Sequence, residues 1–219
     1  MPKASSVLAV CAHPDDESFG LGAIVDSFAS NGATVSVLCF TRGEASTLGD
    51  CEPEELGELR RSELRAAAAQ LGVERAKLCE YPDGSLASVP LRQLTGEVTA
   101  MAAEVGADLL LVFDEGGITG HPDHCRATEA ALGLPGLPVL AWTIPGSVAG
   151  TLNCELGGTF VGRSADEIDM VVRVRRGAQQ RAIACHASQN SDASPLRRRL
   201  GLLGENESLR WLRRPKLRS

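Results

Sequence analysis

Aromatic side chains are scarce in this sequence. Two Trp, one Tyr and five Phe make up 4% of 219 residues, leaving Trp142, Trp211, Tyr81 and the phenylalanines as the only rings on which a sugar could stack. Trp142 is the best placed of them, at the end of a strand-like run, although its setting reads as core. Long apolar runs are missing too: no stretch approaches the roughly 20 residues that a membrane-spanning helix needs. The first apolar run is too short for a signal peptide and leads straight into a polar motif. Cysteine occurs seven times, at 11, 39, 51, 79, 125, 154 and 185, with no CxxC spacing. An odd, scattered set argues against a disulfide framework and for a reducing, cytoplasmic setting. Basic residues are outnumbered, 22 against 28 acidic, so nucleic acid is not an expected partner.

A phosphate-binding glycine turn is also missing. Where a dinucleotide fold would carry GxGxxG after its first strand, this chain carries Asp15, Asp16 and Glu17. Three carboxylates repel a pyrophosphate, which disfavours a nicotinamide enzyme. Gly20-Leu21-Gly22 follows, but inside a helical pattern.

What is present suits one domain spanning 1–219: a hydrophobic fraction of 43%, a charged fraction of 23%, and no internal repeat or linker-like stretch. The net charge of −6 is unevenly spread. From 192 onward the chain holds Arg197, Arg198, Arg199, Arg210, Arg213, Arg214, Lys216 and Arg218 against three acidic residues. This basic tail, from about 196 to 219, reads as a solvated helix face and a frayed terminus, with an acidic partner or anionic lipid as the sharper alternative.

Periodicity predicts strands at 7–12, 34–40, 77–81, 108–113, 139–144 and 168–174. It predicts helices at 18–30, 56–71, 91–105, 124–132 and 176–187. Alternating strands and helices imply an α/β, Rossmann-like three-layer sandwich with a mostly parallel sheet. Ligands bind such sheets beyond the carboxyl ends of the strands. Two polar clusters fall there, His13-Pro14-Asp15-Asp16 after the first strand and His121-Pro122-Asp123-His124 after the strand ending at 113.

Catalytic zinc takes three N/O ligands and leaves a position for water. His13 and Asp16 are three apart at a strand-to-helix turn, and both can reach one point. Pro122 suits a first helical position, which sets His121 and His124 one turn apart. Two of the chain's four histidines thus share one tetrapeptide. Spacing does not decide which of Asp15 and Asp16 would bind metal.

AHPDDE (12–17), TRGE (41–44), GHPDH (120–124) and HASQ (186–189) resemble, in order and approximate spacing, the motifs of the LmbE-like (PIG-L) zinc N-deacetylases. The resemblance runs from residue 7 to about 189. It implies hydrolysis of an N-acetyl group, commonly on a small N-acetylglucosamine-type sugar or conjugate. By position it makes His13, Asp16 and His124 the zinc ligands, Asp15 the general base and His121 the oxyanion donor, with Asp123 orienting His121. Arg60, Asp83 and Glu44 match substrate-side positions. Arg60 also admits a plain reading as a helix-face charge paired with a nearby Glu. His186 divides evenly between a site role and a backbone-bonded helix end. The segments flanking His121 and His124 are compact, so the specificity of thiol-sugar relatives does not transfer. Zn2+ fits two His and one Asp best, and Fe2+ would accept the same set. Two other functions stand beside the deacetylase: a metal-dependent amidase on a larger N-acyl conjugate, and a catalytically silent metal- or sugar-binding protein.

Overall fold

The computed structural model describes residues 1–48, 51–190 and 195–216. The first half runs β1 (Ser6–Cys11), α1 (Asp16–Phe19), α2 (Gly22–Ser30), β2 (Thr34–Thr41), α3 (Pro53–Gln70), β3 (Arg75–Tyr81) and α4 (Leu91–Glu104). Then come β4 (Leu109–Phe113), a short turn α5 (Gly117–Gly120), α6 (Pro122–Gly133), β5 (Val139–Thr143) and α7 (Gly146–Leu156). The chain closes with β6 (Met170–Arg173), α8 (Gly177–Cys185), α9 (Pro195–Leu203) and β7 (Asn206–Arg213).

The strands form one seven-stranded sheet in the order β3-β2-β1-β4-β5-β7-β6. The first five are mutually parallel; β7 runs antiparallel to both β5 and β6. Every residue of β1, β4 and β5 is buried, as a strand covered on both faces requires. Alternate residues of β1 feed opposite faces. Val7, Ala9 and Cys11 pack with Leu21, Ile24 and Phe28 of the α2 side, joined by Leu64 of α3 and Ala182 of α8. Leu8, Val10 and Ala12 pack with Leu94, Val98 and Met101 of α4 and Ala130 of α6. Each large side chain so buried contributes roughly 1.5–3 kcal/mol. The expected mostly parallel α/β sheet between two helical layers is therefore what forms.

After β1 the chain moves outward to β2 and β3, then crosses back to lay β4 on the other side of β1. The connections leaving β1 and β4 diverge, and a crevice opens beyond their carboxyl ends. Both HPD clusters enter it.

Three expectations need correction. The helix expected at 18–30 is broken into α1 and α2. A Cβ on Gly20 would lie 2.4 Å from the Phe113 ring, so the break seats the end of β4 against the chain. α7 carries too weak a pattern to have been expected. The basic tail is no frayed terminus over its described part: α9 and β7 occupy 195–213, with β7 inside the sheet. Arg210 and Arg213 of β7 are satisfied internally. Arg210 reaches Asp114 at 3.0 Å, and Arg213 donates to the carbonyls of Leu132, Leu134 and Leu137. Asp192 and Arg218 of that stretch lie outside the described residues.

Asp114, 1% exposed just beyond β4, accepts from Arg163 Nε at 3.0 Å, Arg210 at 3.0 Å and the Gly116 amide at 3.2 Å. Burial alone would raise its carboxyl, but these donors hold it below the usual range. A depressed folded-state pKa stabilises above the unfolded value and loses that stabilisation as pH falls. Asp114→Asn should therefore cost about 3 kcal/mol in urea unfolding at neutral pH. The gap to wild type should narrow below roughly pH 4.

Candidate metal centre

β1 delivers His13 two residues past its end, and α1 begins at Asp16. Asp16 Oδ2 accepts the amides of Ala12 (3.1 Å) and His13 (2.9 Å), which folds the turn around the carboxylate. From the other side of the crevice His121 caps α6, Pro122 takes the first helical position, and His124 follows one turn later. His13 Nδ1, His124 Nε2 and an Asp16 oxygen converge. The nitrogens are 3.2 Å apart, His124 Nε2 lies 3.1 Å from Asp16 Oδ1, and His13 Nδ1 lies 3.6 Å from Asp16 Oδ2. Ligands about 2.1 Å from a tetrahedral zinc are separated by about 3.4 Å, so this triad fits the ion.

The partners behind the triad set its tautomers. His13 Nε2 donates to Asp83 Oδ1 at 3.1 Å, and His124 Nδ1 donates to the Gly117 carbonyl at 3.0 Å. Each outward N–H leaves a lone pair inward, the arrangement that orients metal-binding histidines. Burial opposes charge on His13, yet hydrogen bonds to Asp123, Asp16 and Asp83 outweigh it and raise its pKa well above the imidazole range. The pocket thus favours a positive charge at that point. A second group, His13, His121 and Asp123, also has donor atoms within 4.8 Å of one another. Its atoms are committed elsewhere, because Asp123 accepts the amides of Gly84 (2.8 Å) and Leu86 (3.0 Å). His121 Nδ1 accepts the Asp123 amide at 3.2 Å. The contact between Asp123 and His121 is therefore made by the backbone, and it leaves the proton of a neutral His121 on Nε2.

Asp15 stands beside the triad in an unusual conformation. Its φ of 140° is a region that non-glycine residues rarely occupy, at a cost of about 1–3 kcal/mol. Neighbours enforce it. Arg60, 3% exposed, bonds Asp15 Oδ2 (2.9 Å), the Pro14 carbonyl (2.6 Å) and the Gly43 carbonyl (2.7 Å). The Asp15 amide donates to Glu17 Oε2 at 2.9 Å. Glu17 is fully buried and held in turn by His186 Nε2 at 2.7 Å. Burial lifts the Asp15 carboxyl to about 6, opposed by Arg60 and reinforced by Asp16. Burial likewise lowers His121, helped by His124 and His13.

His13, Asp15, Asp16, Arg60, Asp83, His121 and His124 line one cavity of about 480 Å3. Residues 8–134, more than half of the chain, match the PIG-L family model, described as GlcNAc-PI de-N-acetylase. The chain belongs to the PIG-L family. It is 32% identical over 156 residues to the 1D-myo-inositol 2-acetamido-2-deoxy-alpha-D-glucopyranoside deacetylase of Kineococcus radiotolerans, covering 58% of this chain and 43% of that protein. The chain spans 43–62% of the length of the curated relatives it matches. Among solved structures, the N,N'-diacetylchitobiose deacetylase of Pyrococcus horikoshii aligns with a TM-score of 0.73 at 21% identity, over 96% of this chain and 85% of that one. The 4-carboxy-2-hydroxymuconate hydratase of Pseudomonas putida also aligns at 0.73, with 16% identity and 98% coverage of each. These likenesses show a shared fold, and one of the two is a hydratase, so the fold alone does not choose the reaction.

Within this PIG-L chain the remaining expected residues act at one remove. Glu44 is absent from the cavity lining and accepts the Asp83 amide at 3.1 Å. Arg60 is not a surface charge; its neighbour Arg61 is, pairing with Glu80 at 2.8 Å. Ser188 binds Glu63 through both its amide (2.9 Å) and hydroxyl (2.7 Å), and Gln189 accepts from Ser46 at 2.8 Å. Trp142 is 1% exposed and is core, not a sugar platform. Sequence reasoning did not single out Glu63, Phe113 or Arg199. Glu63 had a signal, its placement one turn after Arg60.

Metal analysis should find about one zinc per chain, lost in both His13→Ala and His124→Ala. Gly43 sits at φ 69°, and a Cβ there would lie 2.0 Å from Arg60 Nη1. Gly43→Ala should lower the melting temperature and cost more than about 1 kcal/mol, read by thermal and urea unfolding.

Proposed function

We propose that this single α/β domain is a metal-dependent N-deacetylase that removes acetyl from an N-acetylglucosamine-type sugar conjugate. The observation that carries the reading is the pair Asp15 and His121, which line the same cavity as the His13–Asp16–His124 triad. Neither is spent on the triad. A zinc ion there would polarise an amide carbonyl and lower the pKa of water; ferrous iron would be accepted by the same ligands.

The chain's own groups divide the rest. Asp15, clamped by Arg60, takes a proton from the attacking water and returns it to the leaving amine. His121 presents Nε2–H to the oxyanion of the tetrahedral intermediate, and its depressed pKa keeps it a neutral donor. Asp83, which also accepts the Ala45 amide, holds His13 where it lines the sugar side of the cavity. Arg60, committed to Asp15 and two carbonyls, acts on the sugar through Asp15. Glu44 supports Asp83 and reaches substrate only through it. Seven unpaired cysteines suit a reducing setting, and the cytoplasm is our placement. Among the described residues no helix is long and apolar enough to cross a membrane.

Acetate release from N-acetylated amino sugars by the zinc-loaded chain tests the proposal. Asp15→Asn and His121→Ala should keep zinc, while kcat falls about 10²–10⁴-fold in the first and about 10²–10³-fold in the second. A fully active Asp15→Asn contradicts the mechanism. Faster turnover of longer N-acyl groups than of acetyl would favour an amidase.

A further inference from the structure

Two arginines line the cavity. Arg60 is committed to Asp15 and two carbonyls. Arg199, from α9, is not committed in this way. It is 9% exposed and lies over the Trp142 ring at 4.9 Å. A guanidinium offers five N–H donors, yet among the described residues only Nη2 finds a hydrogen-bond partner, the Phe19 carbonyl, and the buried Nε finds none. Among the described residues no carboxylate pairs with it. Glu207, an obvious counter-ion, is taken by Arg176 and by Trp142 Nε1.

A buried cation held by one backbone carbonyl is poorly compensated for its lost hydration. A purely structural clamp between α9 and α1 would be served better by a neutral side chain. The position of Arg199 suggests a different use. Trp142 and Phe113, with ring centroids 5.1 Å apart, separate it from His124, which meets Phe113 at 4.8 Å. Arg199 therefore enters the cavity from the α9 side, against the Phe19 carbonyl of α1 and the Trp142 ring. A molecule with its acetamido group at the triad would present its other end to Arg199. Asp15, Asp16 and Asp83 line the same cavity, so one spare guanidinium balances a monoanion better than a phosphate dianion.

We infer that Arg199 recognises a carboxylate on the aglycone, making the enzyme selective for amino-sugar conjugates that carry a monoanion; this rests on the deacetylase reading above. The probes are three 2-acetamido-2-deoxyglucosides of one scaffold, ending in a carboxylate, a carboxamide or a phosphate monoester. With the zinc-loaded chain, the carboxylate should exceed the carboxamide in kcat/KM by about tenfold to a hundredfold, mostly through KM. In Arg199→Met that ratio should fall to near one, and Arg199→Lys should keep part of it. Melting temperature and zinc content establish that the variants fold, with Arg199→Gln replacing Arg199→Met should the latter not fold. A wild-type ratio near one, or a preference that survives Arg199→Met, overturns the inference. Preference for the phosphate over the carboxylate overturns the monoanion assignment. Failure to release acetate from any probe defeats the deacetylase reading alone. Calorimetric binding of the same compounds then decides: a carboxylate preference lost in Arg199→Met upholds the inference, and equal affinities overturn it.

Discussion

Two hydrogen bonds that point away from the His13–Asp16–His124 triad determine what the cavity can do. His13 donates outward to Asp83, and His124 donates outward to the Gly117 carbonyl. Their inner nitrogens are left facing one another at 3.2 Å with no proton required between them. The Asp16 carboxylate adds a negative group at the same point, where its neighbours also raise His13 well above the imidazole range. The site thus favours positive charge, and its outer partners give it a geometry that tetrahedral zinc satisfies. The loop bearing Gly117 carries its own strain, since Ile118 adopts a φ of 62°, rare for a β-branched residue.

The same economy extends to the group that does not touch the triad. Asp15 is held in a costly backbone conformation by a neighbouring residue and by contacts drawn from two distant segments. Arg60 comes from α3, Glu17 from the adjoining turn, and His186 reaches Glu17 from the end of α8. Ser188 and Gln189 then tie that helix end to Glu63 and to Ser46 of the loop after β2. Four motifs spread over the sequence become one hydrogen-bonded shell, brought together because β1 and β4 are neighbours at the point where the strand order reverses. Strain of this kind persists where the surroundings over-determine it, and here they do.

How far this was legible in the sequence differs by element. The buried parallel strands announce themselves as unbroken apolar runs, and glycine or proline marks the ends of several helices. The His and Asp clusters are visible because each lies at a strand end in a single short motif. What escaped depends on partners remote in sequence. β7 reads as a charged tail because its arginines are neutralised by Asp114 and by carbonyls at the end of α6, far upstream. Arg60 and Arg61 are indistinguishable by spacing, and only the packing of α3 turns one inward. Gly20 looks like an ordinary helical glycine until the Phe113 ring claims the space of its Cβ. Asp15 and Asp16 differ by a backbone torsion that no local pattern reveals.

Among the described residues, His13, Asp16 and His124 are the set oriented for the ion. A crystal structure of the zinc-loaded protein, with data collected on both sides of the zinc absorption edge, tests it most directly. One anomalous peak should lie about 2.0–2.2 Å from His13 Nδ1, an Asp16 oxygen and His124 Nε2, with His121 uncoordinated. A peak bound through His13 Nε2 to His121 or Asp123 would contradict it.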